Sequence, residues 1–499
     1  MGKELQILNC HAGWRWDNTY AQLPSTTYAR VLPTPVASPR WVLFNRHLAE
    51  ELGLDAEALG AEHIAGAFAG NQLFEGSEPI AQAYAGHQFG HLSRLGDGRA
   101  ILLGEHVDGS GRRWDIQLKG PGCTPYSRQG DGRAALGPML REYVISEAIH
   151  ALGIPTTRSL AVVETGEPVF RETRLRGAVL TRVASSHLRV GTLELFAAQG
   201  DFETLDRLCR YALERHYPER TSGPNLGLAL LEAVMERQAK LVAEWMRVGF
   251  VHGVMNTDNV ALSGETIDYG PCAFMDAYDP GTVFSSIDQQ GRYAFGNQPG
   301  ITSWNLARLA EALLPLIDVE QSAAIRMVEE VLETFPQRYH EAWLKAYRGK
   351  LGLLTEEAGD RALIEDLLRW MKEAGADFTL TFRELDPEAG SVPSAVGRAT
   401  TTTHAGWASW HARWVERLRQ QGKPTAEVLG HMRAVNPGVI PRNHVVEAAL
   451  RAASERQDVS LCEQILVGLR TPYADPRDGD PLSRPPAEGT PRYRTFCGT

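Results

Sequence analysis

The chain has 499 residues, 43% of them hydrophobic and 22% charged, with a formal net charge of −10. That is enough apolar material for a large core spread over two or three lobes, and the acidic balance gives no basic footprint of the kind that phosphate-backbone binding needs, which sets nucleic acid aside as a partner. No stretch approaches the roughly 18 consecutive apolar residues of a membrane span, and the opening "MGKELQILNC" lacks a signal-peptide core, so a soluble, cytoplasmic protein with no membrane partner is expected.

Up to about residue 190 the sequence is rich in Gly, Arg and short β-like runs. "RLGDGRAILLGE", residues 94–105, sets Gly96 and Gly98 before a strand, where glycine lets backbone amides approach a polyphosphate and Arg99 supplies charge; an ordinary glycine turn fits the same letters. "RAILLGEHV" and "RRWDIQLKG" flank "DGSG" and predict a β-hairpin whose second strand ends at Lys119. For Lys119 to point opposite Ile116 and Leu118, this reading calls for a bulge or twist in the alternation. A helix is predicted over "LGPMLREYVISEAIHAL", with Leu140, Tyr143, Val144, Ala148 and Leu152 close to the helical period. Glu142, at the edge of that apolar face, is a better partner for a buried Lys119 than Glu147; a surface lysine beside a solvated glutamate is the alternative. "LAVVETGEPVFRETRLRGAVLTRVA" then predicts a further series of strands.

From about residue 191 to 475 long amphipathic patterns dominate, including "TSWNLARLAEALLPLI", "IRMVEEVLETFPQRYHEAWLKAY" and "ALIEDLLRWMKEA". Embedded in this helical half, "VHGVMNTDNVALSGETIDYG", residues 251–270, reads as a small hairpin with Asp258 and Asn259 at one end and Asp268 at the other. Two short oxygen-ligand groups side by side suit a hard cation such as magnesium that also touches phosphate, and a merely polar hairpin suits the letters as well. The last stretch, 476–499, is rich in Pro, Gly and charge and predicts an irregular tail. The six cysteines are scattered without zinc or disulfide spacing, so reduced thiols are expected; Cys497, near the end of the chain, would be accessible to oxidants.

The order strand, lysine, helix, glutamate is the one a kinase-like lobe requires. The expected fold is therefore α+β and two-lobed: residues 1–190 an N-terminal extension and small β-rich lobe with one key helix, 191–475 a larger helical lobe, 476–499 the tail. "HGVMNTDN", laid on the kinase catalytic loop H-R-D-x-x-x-x-N, puts His252 on the histidine, Val254 on the catalytic aspartate and Asn259 on the metal-binding asparagine, so the usual base is absent. Asp268 of "DYG" matches the metal aspartate of D-F-G.

Over nearly its whole length the chain resembles the selenoprotein O family, kinase-fold proteins that transfer AMP from ATP to protein hydroxyls. The resemblance rests on "YAGHQFGHLSRLGDGRA", "WDIQLKGPGCTPYSRQGDGRAALGPMLREY", "LTRVASSHLRVGTLE", "VHGVMNTDN", "IDYGPCAFMD", "YAFGNQPGITSWNLARLA" and "NPGVIPRNHVVEAAL". It implies that Asp258 replaces the missing base, that Asp131 and Gly132 bind nucleotide, and that Arg182 and Arg189 contact the polyphosphate of an inverted ATP whose α-phosphate faces the acceptor. Gly96, Gly98, Arg99, Lys119 and Asp268 complete the implied nucleotide site. Asn259 and Asp268 are expected to hold Mg²⁺ or Mn²⁺, and Glu142 to form the structural ion pair. Partners are then ATP and proteins with acceptor hydroxyls, and a monomer is expected.

Some members of the family carry selenocysteine where this chain has Cys497, so any redox role falls to a thiol here. Cys272, directly after the metal motif in "DYGPC", is the candidate partner by position, with a buried structural cysteine as the alternative; the loop "GTVFSSIDQQGRYAFG" contains no cysteine. Other functions left open are UMP transfer with manganese, a conventional γ-phosphate kinase, and a non-catalytic ATP-binding pseudokinase.

Overall fold

A computed structural model of the chain describes residues 6–8, 12–394, 396, 401–487 and 489–495. The N-terminal part is β-rich and the C-terminal part helical. In chain order the first part contains β1 (Tyr28–Arg30), β2 (Arg40–Phe44), β3 (Ile80–Gln82), β4 (Ala85–Gln88), β5 (His91–Arg94), β6 (Ala100–Val107), β7 (Arg113–Lys119), β8 (Ala134–Ala135), helix α1 (Leu136–Ala151), β9 (Arg158–Phe170) and β10 (Arg174–Ala184). Eight of these strands form one sheet in the order β1-β3-β6-β7-β10-β9-β2, with β8 attached to β10, while β4 and β5 form a separate hairpin. The "DGSG" turn joins β6 to β7 as its letters predict: Asp108 Oδ1 accepts from the backbone N–H of Ser110 and Arg112, and Gly111 takes φ +85°.

Plain two-residue alternation sorts the side chains of β7, and the bulge foreseen before Lys119 is not needed. Ile116 and Leu118 enter one apolar cluster with Phe68, Leu103 and Val179, while Gln117 and Lys119 face the opposite side. The bulge in this hairpin lies on β6, between Leu102 and Gly104. On the Lys119 side α1 packs Leu140, Val144 and Ala148 against Val162, Ala178 and Leu180 of the sheet. Truncating Leu140, which is fully buried, to Ala would cost about 2–5 kcal/mol.

The helical part begins with α2 (Val190–Gln199), α3 (Phe202–His216) and α4 (Leu226–Val248), followed by short strands β11 (Phe250–Val251) and β12 (Ala273–Phe274). Asn225 caps α4 by accepting from Leu228 N–H, and Gly249 ends it at φ +73°, turning the chain into β11. Then come α5 (Gln298–Ile317), α6 (Gln321–Leu332), α7 (Phe335–Lys350), α8 (Asp360–Ala374) and α9 (Thr401–Gln420). The pattern "IRMVEEVLETFPQRYHEAWLKAY" is split into α6 and α7 because Pro336 occupies the first turn of a new helix and cannot continue the old one. Trp407, Trp410 and Trp414, on one face of α9, build part of the core with Trp370 of α8.

Two expectations change. Residues 257–268 do not form a strand-turn-strand hairpin; β11 pairs instead with β12, Ala261 bridges to Arg189, and Thr266 bridges to Thr156. Apart from a turn at Ala261–Gly264, the short polar segment finds its backbone partners at residues 155–157 and 188–190. The tail has no helix among its described residues, yet it is docked: Thr495 N–H donates to Phe284 O at 2.8 Å, Ser286 N–H to Thr495 O at 3.0 Å, and Tyr493 OH to Glu447 at 2.6 Å. Cys497, like Cys10, lies outside the described residues. Among the described residues no helix is long and apolar enough to cross a membrane.

Candidate active site

A cavity of about 330 Å³ opens where β6 and β7, the end of β10 and the segment 254–271 meet. Lys119, the last residue of β7, projects into it, and its Nζ donates to Glu142 of α1 at 2.5 Å and to Asp268 Oδ1 at 2.9 Å. Glu147, one turn further along α1, serves another purpose and receives the Arg158 guanidinium. Arg182 of β10 reaches Asp268 Oδ1 at 2.6 Å, with Glu142 at 3.4 Å. Arg189, just before α2, donates through Nη1 to Asp258 O at 2.8 Å and Asp268 Oδ2 at 3.2 Å, and its guanidinium lies 4.5 Å from the centre of the Tyr84 ring.

Three cations therefore converge on one carboxylate. Burial alone would push the Asp268 carboxyl up, but Lys119, Arg182 and Arg189 outweigh it and hold the group well below the usual range. Asp268 sits at φ +62°, a left-handed conformation uncommon for a non-glycine residue, and the contacts with Lys119, Arg182 and Arg189 hold its carboxylate in place. Even after these pairings Arg189 Nη2 is buried with no hydrogen-bond partner.

Asp258 lies in a single 3-10 turn, Thr257–Asn259, and is 9% exposed. Its Oδ1 is buried without a partner, and burial, opposed by Arg189, pushes the carboxyl up to about 6. Gly86 of β4 passes so close that a Cβ there would fall 2.2 Å from Asp258 Oδ1, so glycine is required for the strand to cover the carboxylate. Asn259 donates through Nδ2 to Val254 O at 3.0 Å, which leaves its carbonyl oxygen as the free ligand group. Val254, Asp258, Asn259 and Asp268 all line the cavity.

The donor set suits a hard cation. Asn259 and Asp268 offer oxygen ligands in one cavity, with the orphaned Asp258 Oδ1 beside them, and Mg²⁺ ordinarily takes one or two protein oxygens and completes its shell with water and phosphate. Among the described residues no group of three or more His, Cys, Asp or Glu side chains forms a self-sufficient metal cluster, so phosphate would have to complete the site.

Of the residues singled out by sequence, Gly98, Arg99, Lys119, Arg182, Arg189, Asp258, Asn259 and Asp268 line the cavity, with Glu142 behind Lys119. Gly96 does not line it; at φ +102° it passes under the Tyr126 ring, where a Cβ would clash. Asp131 and Gly132 are also absent from the wall. Asp131 accepts from Arg171 at 2.9 and 3.1 Å, and Gly132, at φ +65°, lies against the Gly122 backbone. Cys272 is buried, and burial pushes its thiol up to about 12, which shields it from thiolate chemistry. Sequence reasoning missed Tyr84, Asn256 and Gln117. The last was findable, since it stands two residues before Lys119 and so on the same strand face.

The family model described as protein adenylyltransferase SelO matches residues 12–470. A protein nucleotidyltransferase YdiU of Geobacillus kaustophilus is 57% identical over 489 residues, covering 98% of this chain and 100% of that protein. The YdiU nucleotidyltransferase of Alkaliphilus metalliredigens is 55% identical over 501 residues, covering 100% of both chains. That of Alcanivorax borkumensis is 56% identical over 488 residues, covering 98% and 99%.

Proposed function

The chain belongs to the SelO family of protein adenylyltransferases, and from that premise we propose that this nucleotidyltransferase moves AMP from ATP to Ser, Thr or Tyr hydroxyls of proteins and releases pyrophosphate. Its two parts act as the lobes of a kinase-like fold, residues 1–190 and 191–475, with 476–499 as a tail, and it works as a monomer. One observation carries the reading: Arg182 and Arg189 are buried in the cavity wall beside Lys119, and Arg189 keeps an unpartnered N–H there. An Arg189 N–H that the local carboxylates leave unsatisfied calls for an anion, and a polyphosphate supplies it with charge-assisted hydrogen bonds.

In this pose the β- and γ-phosphates meet Arg182, Arg189 and Lys119, with Arg99 at the strand start and Gly96 and Gly98 shaping the turn before it. The α-phosphate is left toward Asp258. Asp131 and Gly132, off the cavity wall, take no part in this pose. Asn259 and Asp268 would hold Mg²⁺ or Mn²⁺, which would supply charge neutralisation to the phosphates. Asp258 takes the proton of the acceptor hydroxyl; the oxygen bonds to the α-phosphorus, the bond from that phosphorus to the pyrophosphate oxygen breaks, and pyrophosphate leaves with its charge offset by Lys119, Arg182 and Arg189. Val254, where a conventional kinase has its aspartate, cannot accept a proton, which favours Asp258 in that role.

Pyrophosphate release in the presence of acceptor protein tests the reading. Release dependent on acceptor supports it; ATP binding without release would reduce the protein to a nucleotide-binding pseudokinase, and ADP as product would make it a phosphotransferase.

A further inference from the structure

Beside the nucleotide cavity lies a second, larger one of about 810 Å³, lined among others by His91, Ile287, Gly291, Arg292, Asn297 and Ile301. Phe89 and Ile287 belong to the walls of both, so two apolar side chains divide the groove from the cavity that holds Asp258. Both are exposed, at 38% and 55%.

The dividing wall is held in an unfavourable conformation. Phe89, at the tip of the β4–β5 hairpin, takes φ +49°, a region that bulky side chains avoid. Its N–H donates to Asn256 Oδ1 at 3.1 Å, and its ring lies 5.3 Å from that of Tyr293, whose OH also donates to Asn256 at 2.6 Å. Asn256 is two residues from Asp258. The strained wall is thus tied to the turn that carries the proposed base. Beyond it, β5 is the outer strand of a two-stranded hairpin, with Leu92 47% exposed and no further strand beside it among the described residues. Such an edge can pair with an extended chain.

The charge of the groove points to its occupant. Arg292 stands at the hairpin tip, its guanidinium 4.9 Å from the centre of the Trp304 ring and its Nη2 3.9 Å from where a Gly90 Cβ would lie. Its Nε is buried without a partner, and it makes no ion pair among the described residues. The acidic residue of the same loop, Asp288, is buried and turned onto its own backbone, accepting from Arg292 N–H at 2.9 Å and Tyr293 N–H at 2.8 Å.

We propose that this groove docks an extended, acidic segment of the acceptor protein, with a carboxylate on Arg292 and an apolar side chain against Phe89 and Ile287, so that the adjoining hydroxyl is fed to Asp258. The inference rests on the protein-acceptor reading above. A chain of net charge −10 repels acidic peptides as a whole, so a preference for them has to arise locally.

Fluorescence anisotropy with two labelled nonapeptides tests the groove without requiring transfer. Each peptide has a central Ser and a neighbouring Leu, flanked in one by Asp and in the other by Lys. The full-length protein should bind the Asp peptide about tenfold more tightly; Arg292→Gln should remove the preference and Arg292→Glu reverse it. ATP affinity should be unchanged in both variants, which shows that they are folded. Equal binding of the two peptides by the parent protein, or a preference unaltered in both variants, overturns the groove. The same peptides incubated with α-labelled ATP keep the two ideas apart. Selective binding without label on the peptide leaves the groove standing and contradicts transfer; label without selective binding does the reverse.

Discussion

Gln117 and Arg182 stand directly opposite one another on β7 and β10, and the Gln117 side-chain oxygen accepts from Arg182 Nε at 3.1 Å and from Nη2 as well. Gln117 in turn donates to Asp97 at 3.3 Å, so one amide fixes the guanidinium and ties it to the loop at Gly98. Gln117→Leu would leave buried Arg182 N–H groups unsatisfied, a cost of about 1–3 kcal/mol. The expected result is ATP affinity reduced about tenfold by calorimetry, with the protein still folded. Unchanged affinity would show that Arg182 needs no such anchor.

Replacing Arg182 or Arg189 by Ala should weaken ATP far more than AMP, because the lost contacts lie at the far phosphates. Titration of each variant with both nucleotides checks the pose. Equal weakening would contradict it.

Asp268→Ala removes the counter-charge on which Lys119, Arg182 and Arg189 converge, together with a proposed metal ligand, and transfer should become undetectable. Asp258→Ala should leave ATP affinity measurable and slow turnover by about 10²- to 10⁴-fold, the range for loss of a general base. A collapse of nucleotide binding in Asp258→Ala would make that residue a ligand instead.

The Lys119–Glu142 pair was legible because it depends on local order: a strand that alternates, then a helix whose apolar stripe turns Glu142 inward. What the sequence hid were contacts between distant segments. The stretch 257–268 resembles a hairpin by its turn residues, yet its backbone is bound by Arg189 and Thr156, far away in the chain. Asp131 and Gly132 matched a nucleotide motif, while Arg171, forty residues on, holds Asp131 off the cavity wall. Tyr84 under Arg189 has no signature in spacing at all, and the composition of the tail predicted its irregularity but not its docking at Phe284 and Glu447.

Two buried histidines make stability depend on pH. Burial, helped by Arg215 and Arg237, pushes His216 down to about 3, and burial outweighs the pull of Asp115 to push His187 down to about 4. Both are neutral in the fold. Below the unfolded value of about 6.5 the unfolded chain binds protons that the folded chain refuses, so this stability is complete above that pH and is lost toward pH 4 and 3, by up to about 1.4 kcal/mol per pH unit for each group. Denaturant unfolding at pH 7.5 and 5.5 should show the loss, and His216→Gln should reduce the slope. An unchanged slope in the variant would mean that His216 takes up a proton in the fold.

In the proposed pose Arg182 and Arg189 seat the outer phosphates and leave the α-phosphate to the acceptor. ATP labelled at the α-phosphate or at the γ-phosphate, each incubated with the full-length protein, Mg²⁺ or Mn²⁺ and acceptor protein, tests it in a single comparison. Protein-bound label from α-labelled ATP alone, abolished in Asp268→Ala, is the predicted result; protein-bound label from γ-labelled ATP would contradict it.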